Sequence, residues 1–433
     1  MSTNNALDRG GARAGWAIDE ERLRADILEL GRIGRDEADR GLYRTAFSEA
    51  DLAGRRWLME RIREAGLEAE MDGAGNVLGR SRPASAELPS VLVGSHLETV
   101  PCGGALDGAL GVPAGLESLR TIHERKIETH HPIELVAFSD EEGRFGAMFG
   151  AQAFIGDITP ESIQTAVDVD GIRLADEMGR LGLDPLRALD AWRDPETVAA
   201  YLELHVEQGP VLEKRRRDVG IVEGIAGLFK WQIRLRGTAD HEGTTPMDLR
   251  NDAFLGLADF AHEIPRVLDE IGSEQSRATI GKVELEPGFP HTIAGEAMFT
   301  LVVRDGSPTV LDELESAFRK TLSAIARRAS LMFEFDILSR IEPTENDPEV
   351  ADIIERSARA MRLESQRMYS GAGHDAQFLG RITRTGMIFV PSKGGVSHSP
   401  AEWTDWHDIT NGANLLLNVL LEVAGVALPA PRP

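Results

Sequence analysis

Three short apolar runs, each ending abruptly in polar residues, constrain the fold of this chain more than any other feature. They are PSVLVGSH, which ends at His96, PIELVAFSDEEG, which runs into Asp140, Glu141 and Glu142, and YLELHVEQG, which reaches His205. Runs so short and so uniformly apolar suit strands buried on both faces. Between and around them lie segments of helical period, ERLRADILELGRIG, DLAGRRWLMERIREAGLEAEM and GVPAGLESLRTIHERKI. The alternation predicts an α/β fold, a mixed sheet sandwiched by helices. In such sheets ligands gather beyond the carboxyl ends of the strands, which is where these polar residues fall.

After VGIVEGIAG the texture changes. Alternating strand patterns and two amphipathic helices follow in the order strand, helix, strand, strand, helix, strand, which predicts a four-stranded, ferredoxin-like α+β unit. MIFVPSKGGVSHSPAEW and a last long helix return to the earlier style, so the unit reads as an insertion. The predicted division is a main domain in two parts, residues 1–218 and 339–433, around an inserted domain of residues 219–338. Residues up to about Gly15 read as a frayed tail that lacks the apolar core of a signal peptide.

A formal charge of −24 sets the average surface against phosphate backbones and anionic lipid. The basic run Lys214, Arg215, Arg216 and Arg217 is too short to track a nucleic acid without aromatic partners. The most apolar segment, GANLLLNVLLEVAGVAL, is broken by Asn and Glu and falls short of the roughly 20 residues a membrane span needs. With Cys102 as the one cysteine there is no disulfide within the chain. The expectation is a soluble cytoplasmic protein with no nucleic-acid or membrane partner.

Imidazole and carboxylate are the ligand types of divalent zinc or manganese. His96 stands at a strand end, and the glycines at 103, 104, 108 and 111 let the backbone bring Asp107 back to the same point. Alone this pairing is weak, because structural histidines outnumber ligands. The acids Asp140, Glu141 and Glu142 repel one another unless a cation lies nearby, although an acidic helix N-terminus is the plainer reading. His205 follows its strand with Glu207 and Gln208 beside it, and His398 sits in a polar, Gly-rich loop. Together His96, Asp107, Glu142, His205 and His398 could hold two ions that share one carboxylate, an arrangement able to ionise a water.

Read together, GSHLETVPCGGALDGALGV, AFSDEEGRFG, LELHVEQGPVLE, GTADHEGTTPMDLRNDA, SGAGHDAQ and PSKGGVSHSPAE resemble the hydantoinase/carbamoylase branch of the dinuclear-zinc aminoacylase and carboxypeptidase superfamily. That branch includes N-carbamoyl-L-amino-acid hydrolases, β-ureidopropionases and allantoate amidohydrolases. The similarity runs from about Asp19 to Val426. It implies two divalent ions per subunit, zinc or else manganese, cobalt or nickel. One would be held by His96, Asp107 and His205 and the other by Asp107, Glu142 and His398, with a cis bond from Asp107 to Gly108.

The resemblance further implies Glu141 as general base, His241 as the donor that steadies the developing oxyanion, and Arg304 as the grip on a substrate carboxylate. Gln208 would touch the substrate, and His374 and Asp375 would support the site. The inserted domain would act as lid and as the contact of a homodimer, with His241 serving its own site or its partner's. The substrate would be a small ureido or amide acid, most simply an N-carbamoyl-L-amino acid hydrolysed to amino acid, carbon dioxide and ammonia. An allantoate amidohydrolase, an aminoacylase or peptidase of the superfamily, and an inactive binding homologue are the alternatives. This chain departs from the usual pattern at Glu98, where an Asp would orient His96 from behind. It also departs at His291, where an Asn would touch substrate, and at Ala294, where a Pro is usual.

Overall fold

The computed structural model describes residues 16–80, 88–146 and 148–426. The tail read before Gly15 lies outside the described residues. The chain forms two compact units. The first comprises the described residues up to Glu223, then Asn346–Met368, then those from His374 onward; the second comprises Gly224–Glu345 and Tyr369–Gly373.

The strands are β1 (Glu68–Met71), β2 (Val77–Arg80), β3 (Ser90–His96), β4 (Ile133–Phe138), β5 (Val198–Val206), β6 (Val219–Ile225), β7 (Gly227–Arg236), β8 (Arg277–Glu286), β9 (Glu296–Asp305), β10 (Met332–Ile341), β11 (Thr344–Glu345), β12 (Ser365–Ser370) and β13 (Arg384–Val390). The large sheet has the order β1-β2-β4-β3-β5-β13-β6-β11, with β12 also paired to β6. Its centre, β4-β3-β5-β13, is parallel throughout, and β2 and β6 flank that centre antiparallel to it.

Both faces of the centre are covered, as the apolar runs predict. Every residue of β3 and β4 is buried. On one face Val91, Val93, Leu135 and Leu204 share a core with Leu116 and Leu119 of the helix Gly111–Glu124 and Leu416 and Leu420 of the helix Trp406–Val423. Phe138 meets Phe154 of the helix Phe149–Ile155 edge-on, with centroids 5.6 Å apart, and Tyr201 at 5.9 Å. A parallel sheet sheathed in this way leaves its strand ends as the place for polar side chains.

The second unit has the predicted ferredoxin-like order. Its four antiparallel strands stand as β10-β7-β9-β8. The helices Ala253–Ile271 and Pro308–Arg328 pack Leu257, Phe260, Leu314 and Phe318 against Phe229, Trp231, Phe299 and Leu301. The insertion begins at Gly224 and ends at Glu345, later at both ends than the 219 and 338 read from the sequence. Gly220, Ile221 and Val222 are still paired with β13 of the large sheet, so β6 belongs largely to the first unit; at the other end β10 extends the insertion to Ile341.

Candidate metal centre

Four parallel strands end side by side in the first unit, and chemistry-bearing residues stand at or beyond each end. His96 closes β3 and His205 nearly closes β5. Glu141 and Glu142 follow β4, and His398 lies in the loop after β13. Asp107 comes from the loop between β3 and the helix Gly111–Glu124.

The run of three acids is a turn and not a helix N-terminus, since the next helix begins only at Phe149. Asp140 makes that turn. Its φ of 54° is left-handed, a conformation Asp tolerates better than most residues, and its carboxylate accepts the backbone N–H groups of Arg144 at 2.6 Å and Phe145 at 3.0 Å. Glu141 and Glu142 are thereby freed for the site.

The two oxygens of the buried Asp107 carboxylate face different groups. Oδ1 lies 3.2 Å from Nε2 of His205 and 4.0 Å from Nε2 of His96. Oδ2 lies 3.1 Å from Nε2 of His398, whose same nitrogen is 3.4 Å from Glu142. Gln208 donates from Nε2 to Oδ2 at 2.8 Å. Glu141 lies 3.5 Å from His96 Nε2. His96–Asp107–His205 and Asp107–Glu142–His398 are thus two sets of donor atoms close enough to hold an ion each, and they share Asp107.

The histidines are oriented for this. His96 turns Nδ1 to the backbone carbonyl of Glu98 at 3.1 Å, and His205 turns Nδ1 to that of Val206 at 2.8 Å, which leaves Nε2 toward Asp107 in each case. The Gly108 N–H lies 3.0 Å from His205 Nε2, the nitrogen that also faces Asp107. His374 packs edge-on against His205, with centroids 4.5 Å apart, and Asp375 beside it is fully buried.

Charge in the site fits a cation. Burial, then the neighbouring carboxylates Glu142, Asp375 and Asp107, hold Glu141 well above the usual carboxylate range. Burial and Asp107 push Glu142 up to about 8, and its buried Oε1 has no hydrogen-bond partner. Burial pulls His96 down to about 3, the neutral form a metal ligand needs. His205, against its burial, and His398 are instead raised to about 9 by their hydrogen bonds to Asp107, and a divalent ion between these imidazoles and the buried acids would take the place of those protons.

Two features differ from expectation. The bond from Asp107 to Gly108 is trans; the one cis peptide among the described residues is Glu286–Pro287. Gly108 turns the chain through a φ of 62° instead. The Glu98 side chain, expected to steady the His96 ring, stands 3.7 Å from its Nδ1, and the main-chain carbonyl makes that contact. Its carboxylate accepts the Glu141 N–H at 2.5 Å and pairs with the buried Arg55 at 3.1 Å.

Arg55 and Glu402 were not found from the sequence. Arg55 gives no signal, being one of two adjacent arginines in an amphipathic helix. Glu402 lies four residues past His398 in the recognised PSKGGVSHSPAE segment and was legible there.

A side chain at Gly108 would collide with His96. A Cβ there would fall 2.1 Å from His96 Nε2. A Gly108→Ala protein is therefore expected to hold metal at least about tenfold more weakly, equivalent to some 1.4 kcal/mol, measured as metal content after dialysis; wild-type content would show that the contact is relieved without moving His96.

The remaining site residues read from the sequence lie in the second unit. His241 and His291 both approach the Glu242 carboxylate with Nδ1 at 3.4 Å, and His241 is bridged to Thr292. Arg304 is half-buried on β9, opposite Leu228 and Arg277.

A covered α/β sheet with imidazoles and carboxylates converging on its strand ends defines a metal-dependent hydrolase. The chain belongs to the peptidase family M20/M25/M40, whose sequence pattern matches residues 92–422. Within it the chain is a hydantoinase/carbamoylase-type amidohydrolase. It is 39% identical over 410 residues to an N-carbamoyl-L-amino acid amidohydrolase of Geobacillus stearothermophilus, spanning 94% of this chain and 99% of the relative. An allantoate amidohydrolase of Bacillus subtilis is 32% identical, over 92% of this chain and 97% of its own. The crystal structure of a hydantoinase/carbamoylase family amidase from Burkholderia multivorans superposes with a TM-score of 0.86 at 33% identity, covering 94% of this chain and 98% of that one.

Proposed function

We propose that this protein hydrolyses the ureido C–N bond of an N-carbamoyl-L-amino acid or a closely related ureido acid, using two divalent cations, zinc or else manganese, cobalt or nickel. Asp107 carries the reading, because its two oxygens face two separate donor sets. When bound, two cations in such sets polarise a carbonyl and acidify a water.

In this reading Glu141 takes the proton of the attacking water and returns it to the leaving amine, a role suited to a buried carboxylate beside His96. Attack on the ureido carbon expels the amino acid, and the carbamate left behind decays to carbon dioxide and ammonia. His241 donates to the oxygen on which charge develops. Gln208 and His291 contact the substrate, and Arg304 pairs with its carboxylate through a planar two-pronged donor. The inserted unit serves as lid and as the contact of a cytoplasmic homodimer. In support of the dimer, β8 is an edge strand that exposes Val283 and Leu285. Among the described residues no helix is long and apolar enough to cross a membrane.

Ammonia release by the metal-loaded protein from N-carbamoyl-L-amino acids, with allantoate, N-acyl amino acids and dipeptides alongside, tests the reading. The greatest kcat/KM should fall on a carbamoyl amino acid; cleavage of acyl amino acids or dipeptides alone would reject it. Arg304→Ala should lower kcat/KM on acids by about 10²-fold, the scale of a charge-assisted hydrogen bond, and on the matching neutral amides by less than about threefold. Equal losses on both would remove Arg304 from the carboxylate.

A further inference from the structure

We infer that Glu402 is the positioning residue that sets the shared carboxylate, Asp107, between the two donor sets. It does so by locking together the loop that carries Asp107 and the loop that carries His398. The inference rests on the two-ion reading above and adds to it a residue that binds no ion itself.

Glu402 is buried, and each of its oxygens serves a different loop. Oε1 accepts two consecutive backbone N–H groups, from Leu106 at 2.9 Å and from Asp107 at 3.0 Å. Oε2 lies 2.8 Å from the hydroxyl of Ser397, the residue immediately before His398. That hydroxyl also lies 2.7 Å from Oδ2 of Asp107. It carries a single proton, so it serves one carboxylate as donor at any instant and keeps both within reach of one hinge point. The Asp107 main chain, the Asp107 carboxylate and the His398 loop are thereby fixed to one side chain.

The packing around Glu402 has been cleared for it. A Cβ on Gly104 would fall 2.3 Å from Glu402 Oε1 and 2.5 Å from its Cβ, so a glycine there is what lets the carboxylate lie across the loop. A buried acid placed against a second carboxylate is electrostatically costly. Two main-chain N–H groups and a hydroxyl compensate, and Glu402 meets all three. A group serving stability alone would need no such proximity to the shared ligand, and a neutral acceptor would satisfy the same N–H groups without the repulsion.

Two sets of donors joined through one carboxylate respond unequally when that carboxylate loosens. His96 and His205 are strand residues and stay in place. His398 stands in a loop whose preceding residue, Ser397, is a partner of Glu402, so the Asp107–Glu142–His398 set should suffer more.

The test is calorimetric titration of chelator-stripped protein with zinc or manganese, comparing the unsubstituted chain with Glu402→Gln, Glu402→Ala and Ser397→Ala. The unsubstituted chain should take up two ions. Glu402→Ala should weaken one of them by at least about tenfold and the other by less than about threefold. Ser397→Ala, which removes only the hydroxyl, should shift the same ion in the same direction by a smaller factor. Glu402→Gln keeps an oxygen for the two N–H groups and should fall between them. Because Glu402→Ala leaves two buried N–H groups without an acceptor and risks failing to fold, Glu402→Gln and Ser397→Ala suffice for the decision. In cobalt-loaded protein the visible spectrum should change in the same variants.

Unchanged affinity for both ions in folded Glu402→Gln and Ser397→Ala would overturn the role assigned to Glu402, and so would a loss of thermal stability without a change in either affinity. Uptake of a single ion by the unsubstituted chain would overturn the two-ion reading and this inference together.

Discussion

A Glu141→Gln protein is expected to turn over about 10²–10⁴-fold more slowly than the unsubstituted enzyme while retaining its full metal content. Glutamine keeps the size and shape of the side chain and loses only the capacity to carry the proton. The main chain at this position should not move, because the Glu141 N–H is held by the Glu98 carboxylate, which is itself anchored by Arg55. Neither donor set that shares Asp107 includes Glu141. Steady-state kinetics on the best ureido acid, paired with metal analysis of the same sample, decide the point. A turnover within about threefold of wild type would remove Glu141 as the base, and a parallel loss of metal would make it a ligand instead.

Removal of metal is expected to have an effect of similar scale. Treatment with a chelator should reduce activity to about 1% or less, with recovery on adding zinc, manganese or cobalt. The stripped protein should remain folded. Asp107 Oδ2 accepts from Gln208 and lies against Ser397 and His398, so the carboxylate has hydrogen-bonding partners of its own. The main core, built from β3, β5 and β13 with their covering helices, does not depend on the site. Far-ultraviolet circular dichroism should therefore be unchanged on stripping, while the melting temperature falls by the amount that ion binding contributes. Full activity in stripped protein would contradict metal dependence, and collapse of the fold would show that the ions are structural.

The parts of this site legible in the sequence are those set by strand ends. His96, His205 and the acids after β4 could be read because an apolar run that stops in a polar residue marks both the strand and where it stops. Asp107 and His398 were weaker signals, carried by loops, and gained meaning only when all the segments were taken together. From the run of acids alone Asp140 could not be told from Glu141 and Glu142, and only the family resemblance separated them, because the left-handed turn that removes Asp140 from the site is a property of the backbone.

Long-range contacts were hidden for the same reason. Arg55 reaches Glu98 and Glu402 reaches Leu106 and Asp107 across wide sequence separations, and no periodicity records such meetings. In the inserted unit the order of strands and helices was readable to the last element, since amphipathic period alone defines it. Its limits were not, because β6 is apolar enough to belong to either unit and only its pairing with β13 decides. At Glu98 the longer side chain does not simply extend the role of an aspartate. It passes beyond the His96 ring to Arg55 and the Glu141 N–H, and the main chain takes over the histidine.

Anomalous diffraction from crystals of the zinc-loaded protein, recorded on either side of the zinc edge, tests the two-ion centre most directly. Two peaks about 3.5–4 Å apart are expected, one bounded by His96, Asp107 and His205, the other by Asp107, Glu142 and His398. A single peak, or peaks away from Asp107 such as at the partly exposed Asp218, His407 and Asp408 group, would contradict it.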